Sequence, residues 1–111
     1  MAKAYWINST ARTITEVTYE TLEDMRRFIG GHLEAAYQTR SGDVLYVDEN
    51  GLYKTNLGFV FVPRQDQILV GNGLFVGREI EADELPMGYT TLDPTMTLKE
   101  LGRLVYFVEP Y

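Results

Sequence analysis

The stretch YETLEDMRRFIGG, running from Tyr19 to Gly31, decides the fold of this chain. Within it Leu22, Met25, Phe28 and Ile29 recur at helical spacing and fall on one face. Thr21 stands at the N-cap position, and Asp24 completes a capping box in which each side chain meets the other residue's backbone N–H. Glu23 and Asp24 lie in the first turn and Arg26 and Arg27 in the last, which complements the helix dipole. Gly30-Gly31 then supplies the stop. So short a helix is marginal alone, and its apolar stripe needs a sheet to cover it.

The flanking sequence provides strands. KAYWIN (3–8) and TITEVTY (13–19) are rich in aromatic and β-branched residues and flank STAR (9–12), which predicts a β-hairpin. Ile14 and Val17 break strict alternation there, so the register stays open. HLEAAYQT (32–39) and DVLYVD (43–48) predict a second hairpin around Arg40 to Asp43, with Asn50-Gly51 as the next turn. GFVFV (58–62), QILVG (67–71) and LFVGREI (74–80) are three more short apolar runs, separated by Pro63 and by Gly71-Asn72-Gly73. The acidic, proline-containing segment 81–97 reads as loop. TLKELGR (97–103) follows as a short helix with Thr97 and Glu100 as its capping box, and LVYFVE (104–109) as a closing strand. The fold class is α+β: a mostly antiparallel sheet of roughly six to eight short strands, one main helix over about residues 21–29 packed on a face, and a short C-terminal helix. Leu22, Met25, Phe28 and Ile29 are expected to meet Leu33, Ala35, Leu45 and Val47, with Phe28 buried.

A chain of 111 residues that is 45% hydrophobic supports a single domain, 1–111, with its own core. Ten Lys and Arg against sixteen Asp and Glu give a net charge of −6, which disfavours direct nucleic-acid binding. The absence of cysteine excludes disulfides, thiolate nucleophiles and Cys-ligated zinc. MAKAYWINSTAR lacks the pattern of a signal peptide and no apolar run reaches membrane-spanning length, so a soluble cytoplasmic protein without membrane contact is expected. Eight tyrosines suit half-buried strand positions, and equally interfaces and stacking sites.

No motif names a reaction. Gly71, Gly73 and Gly77 fit neither a P-loop nor a dinucleotide fingerprint, and a β-like run follows them. The reading is a tight hairpin or bulge with Asn72 near positive φ; the alternative is a glycine-rich edge where a ligand meets the backbone beside Arg64 or Arg78. His32 is the sole histidine, and Ser9 and Ser41 both fall in turns outside any G-x-S-x-G, which argues against a serine triad. Asp48 to Gly51 lacks the alternating acids of a calcium loop and reads as a plain turn. Glu79, Glu81, Asp83 and Glu84 either guard a strand edge or imitate a row of DNA phosphates.

Three segments carry a resemblance: ITEVTYETLEDMRRFIGGHLEAA (14–36), GDVLYVDENGLYK (42–54) and ILVGNGLFVG (68–77). The chain resembles a family of small phage- and plasmid-encoded proteins, a domain of unknown function, over residues 1–81. In that pattern a helix ends in a doublet like Gly30-Gly31, and an acidic turn like Asp48 to Gly51 precedes a polar loop with an asparagine like Asn56. A G-N-G segment then leads into a final strand. The resemblance implies context alone: small phage proteins without catalytic signatures often act against host defence, by blocking a defence protein or by holding its nucleotide signal in a closed pocket.

The expectation is therefore a non-enzymatic inhibitor of bacterial immunity in the host cytoplasm that sequesters a nucleotide-derived messenger, with no catalytic residue, metal or cofactor. Arg40, Arg64 and Arg78 are the candidate phosphate donors, Tyr37 and Tyr46 the candidate base-stacking rings, and Asn72 a further polar contact. A homo-oligomer would enclose more of a small ligand. The alternative is an acidic, DNA-mimic inhibitor of a restriction, CRISPR or other host defence protein.

Overall fold

The structure, a computed structural model, describes residues 2–51, 54, 57–64, 67–79 and 91–109. Its elements are β1 (Ala2–Asn8), β2 (Thr13–Tyr19), α1 (Leu22–Ile29), β3 (Leu33–Gln38), β4 (Val44–Asp48), β5 (Gly58–Phe61), β6 (Ile68–Val70), β7 (Gly73–Val76), α2 (Leu98–Leu104) and β8 (Val105–Val108). The α+β class and both hairpins stand as the patterning predicts. Instead of one sheet, however, the strands divide into a five-stranded sheet, β2-β1-β7-β4-β3, and a three-stranded sheet, β6-β5-β8, all paired antiparallel.

Three layers result. The five-stranded sheet carries α1 on one face and the small sheet with α2 on the other. Its strands alternate between two cores. Ala2, Ala4, Leu74 and Val76 pack with Met25 and Ile29 under α1, while Tyr5, Ile7, Leu45, Val47 and Phe75 pack with Phe59, Phe61, Leu69 and Leu101. Ile14 faces the second core and Val17 the first, which is why the two broke alternation. All four residues of β7 are buried, because covering both faces removes the polar positions that alternation needs.

Both helices are built as read. Thr21 accepts from Asp24 N while the Asp24 carboxylate accepts from the Thr21 backbone, and Gly30 ends α1 in the left-handed region at φ 88°. Thr97 and Glu100 repeat the capping box at α2.

The expected partners of α1 need correction. Leu33 does pack on the helix side, but there it is joined by Val44 and Tyr46. Leu45 and Val47 point the opposite way, and Ala35 is exposed. A bulge between Ala35 and Tyr37 puts Ala36 into the inter-sheet core. Phe28 is half-buried, and Met25 and Ile29 are the buried members of the stripe.

The Gly71-Asn72-Gly73 segment is not a hairpin turn either, since β6 and β7 belong to different sheets and the segment crosses between layers. Gly71 takes the positive φ, 93°, and among the described residues Arg12 is the one non-glycine that does so. Asn72 instead accepts Ser9 N at 3.0 Å, and the Ser9 hydroxyl donates to Gly71 O, pinning the first hairpin to the crossing. A Cβ at Gly73 would meet the Phe59 ring at 2.8 Å, so that glycine is needed for a close approach of layers.

Candidate functional site

The six residues chosen from sequence do not converge. Tyr37 and Tyr46 lie on opposite faces of the five-stranded sheet: Tyr37 packs edge-on to Phe61 at 5.4 Å between the sheets, and Tyr46 packs under α1. Arg64 is tied down, its Nη1 donating to Ala36 O and its Nε to Gln67 Oε1 at 3.0 Å. Asn72 serves the crossing described above. Arg40 and Arg78 are both exposed, and Arg78 lies with its stem against Gly42 in the β3–β4 turn that carries Arg40. Arg78 Nη1 donates to Glu79 O at 3.3 Å. Asn56, Glu81, Asp83 and Glu84 lie outside the described residues.

A different site emerges at α1. Five strands spaced about 4.8 Å apart make a sheet roughly 20 Å wide, about twice the diameter of one helix. Helix α1 lies over β7, β4 and β3, so the β1–β2 end of that face is only partly covered. A cleft of about 380 Å³ opens there, lined by Trp6, Thr18, Tyr19, Glu20, Asp24, Arg27 and Phe28. That volume lies within the range of small-molecule sites.

The polar atoms of its aromatic walls are already used. Trp6 Nε1 donates to Phe28 O at 2.9 Å, and the two rings stand 5.4 Å apart at 54°. The Tyr19 hydroxyl is hydrogen-bonded to Thr91 Oγ1, and burial raises its pKa above the ordinary phenol value, so it stays protonated at neutral pH. Tyr19 is itself buried, so what the walls offer a ligand is the ring surface of Trp6 and Phe28. Arg27 is the cation at the rim, 74% exposed, with Nη2 3.5 Å from the Asp24 carboxylate.

Asp24 is held by the helix start. Its Oδ2 accepts from Glu20 N at 3.0 Å and Thr21 N at 3.2 Å, and these bonds, Glu20 first, lower its pKa. A carboxylate whose folded pKa is lowered stabilises the fold above its unfolded pKa and loses that effect as pH falls through the folded value. In an NMR titration the Glu20 and Thr21 amide shifts are expected to move with a midpoint below 3.8. Asp24→Asn should abolish the transition, whereas a midpoint at or above 3.8 in the parent protein would contradict the capping geometry.

A second, more open recess of about 470 Å³ runs along the neighbouring face of α1 to its C-terminal end, lined by Glu23, Arg26, Arg27, Gly30, Gly31 and His32. Arg27 lines both. Arg26 Nε is buried and has no hydrogen-bond partner among the described residues. Two smaller recesses, of about 100 and 140 Å³, flank the buried Asp48. Lys54 Nζ fills that corner, donating to Asp48 Oδ2 at 2.9 Å and to Gly30 O at 3.0 Å. Among the described residues no group of three or more His, Asp and Glu side chains could hold a metal ion, and no helix is long and apolar enough to cross a membrane.

Sequence reading missed this site because Trp6 was explained by its strand and Arg26-Arg27 by the helix dipole. The signal was there: the only tryptophan of the chain and its only adjacent arginine pair.

Fold and cleft together define a small layered α+β protein with a ligand-sized aromatic recess beside its main helix. The chain belongs to the family of DUF3846, a domain of unknown function, whose model matches residues 2–92. The match spans β1 through β7, α1 and both recesses along it, and stops before α2 and β8. No curated protein and no solved structure matches the chain.

Proposed function

We propose that this protein is a non-enzymatic, phage- or plasmid-encoded inhibitor of bacterial immunity that sequesters a nucleotide-derived messenger in the host cytoplasm. The observation that carries the reading is the α1 cleft, where the half-buried Trp6 and Phe28 offer ring surface, the buried Tyr19 closes the floor and Arg27 places a cation at the rim. Stacking of a base on an aromatic side chain contributes about 1–3 kcal/mol and tolerates different bases. Sequestration needs affinity alone, and so no nucleophile or metal. The phosphate and base contacts first expected of Arg40, Arg64, Arg78, Tyr37, Tyr46 and Asn72 pass, in this reading, to the residues along α1. A second copy closing over the cleft would enclose more of the ligand.

Trp6 is the only tryptophan, so its fluorescence reports on the cleft directly. Titration with cyclic dinucleotides, cyclic trinucleotides and cyclic ADP-ribose derivatives is expected to quench it with a Kd of about 10 μM or tighter for at least one ligand. Trp6→Ala should weaken that binding about tenfold by calorimetry, and the ligand should be recovered intact after denaturation. No binding across the panel at about 1 mM would overturn the reading. The net charge of −6 favours a second reading, an acidic inhibitor docked on a host defence protein. That one requires a complex whose affinity falls steeply with salt.

A further inference from the structure

We infer that the open groove of Arg26, Arg27 and His32 is the phosphate-binding half of a two-part site whose base-binding half is the Trp6–Phe28 cleft. The ligand class is then a nucleoside bearing a diphosphate or a phosphodiester. This rests on the sequestration reading for the aromatic half and adds to it which end of the ligand goes where.

Three observations carry it. First, Arg27 lines both recesses, so a ligand seated on the rings would pass its guanidinium on the way to the groove. Second, the two halves differ in charge. The cleft carries Glu20 and Asp24 against the shared Arg27, while the groove carries Arg26 and Arg27 against Glu23. Amino groups of a base are drawn to the first and an anion to the second. Third, Arg26 Nε is shielded and unpartnered among the described residues, an exception that a turn of the half-buried guanidinium toward an oxygen in the groove would resolve.

One effect opposes the assignment: the groove lies at the C-terminal end of α1, where the helix dipole is negative. The carbonyls responsible are already engaged. Arg26 O accepts Gly30 N at 2.7 Å and Gly31 N at 3.3 Å, and Gly30 O accepts Lys54 Nζ at 3.0 Å. With those satisfied, two guanidinium groups within one turn outweigh the residual dipole.

The test compares the four common nucleosides with their 5′-diphosphates by Trp6 fluorescence and calorimetry. For the base that binds best, the diphosphate is expected to bind about tenfold more tightly than the nucleoside. Arg26→Gln should erase that preference while leaving nucleoside affinity within about twofold, and Trp6→Ala should weaken both ligands. Because Arg26 is partly buried, Arg27→Gln is the second variant. Its side chain is 74% exposed, so the fold is not at risk, and the diphosphate preference should fall there too. Equal affinity for nucleoside and diphosphate, or a preference unchanged in both variants, would overturn the two-part site while leaving the aromatic cleft in place. Binding of neither ligand class would overturn the two-part site alone if a cyclic nucleotide still quenches Trp6, and silence from the cyclic ligands as well would remove the reading it rests on.

Discussion

Phe75→Ala is expected to lower the stability of this protein by about 3–5 kcal/mol, more than any truncation along α1. Phe75 is fully buried at the centre of β7, with its ring 6.4 Å from Tyr5 and 6.3 Å from Phe61. β7 pairs with β1 on one side and β4 on the other, so the backbone around the cavity is held by ladders on both sides and cannot collapse into it. The cost of such a truncation grows with the cavity that remains. Phe28→Ala makes the useful contrast, because Phe28 is half-buried on the wall of an existing cleft and its removal enlarges a space already open. Its cost should be about 1–2 kcal/mol on the area lost. Urea denaturation followed by circular dichroism measures both. Equal losses in the two variants would mean that the layer between the sheets is not the principal core.

The second large effect is expected at Asp43. This carboxylate is 1% exposed, one residue before β4, and accepts four hydrogen bonds from the segment leading into α2. Thr95 N reaches both oxygens at 3.1 and 3.0 Å, and Thr95 Oγ1 and Met96 N reach Oδ2 at 2.8 and 3.1 Å. Tyr5 OH adds a bond to Met96 O at 2.9 Å. Hydrogen bonds to a charged group are worth about 1.5–3 kcal/mol each, and the donors stranded by truncation bring a further desolvation cost. Asp43→Ala should therefore cost about 3 kcal/mol or more, and Asp43→Asn most of that, since its amide turns a donor toward another donor. Hydrogen exchange locates the damage: Thr95, Met96 and Leu101 amides should lose protection well before those of β1 and β7. Full protection at those three amides in Asp43→Ala would show that α2 docks without this anchor.

Neither residue stood out in the sequence. Phe75 sat in one of several apolar runs, and Asp43 looked like an ordinary turn residue beside Gly42. Their weight comes from partners far along the chain, Phe61 and Tyr5 for the ring, and Thr95 and Met96 for the carboxylate. The candidate site has the same origin. Trp6 comes from β1, while Arg27 and Phe28 come from the last turn of α1, and no local pattern announces that they share a cleft.

By itself the sequence determined the elements whose causes are local. Thr21 and Asp24 cap α1 across three residues, Gly30 ends it, Thr97 and Glu100 do the same for α2, and the STAR and Arg40 to Asp43 turns close their hairpins between adjacent strands. Tertiary structure decided everything that depends on which face a strand presents to which layer. β4 is apolar on both faces, so its alternation could not say whether Val44 and Tyr46 or Leu45 and Val47 would meet the helix. A strand's period of two defines two faces without naming their partners, and a single bulged residue such as Ala36 reverses them. The split into two sheets, the crossing at Gly71 and the partly covered β1–β2 end that leaves room for a ligand follow from how one short helix and three short strands best cover a sheet wider than either.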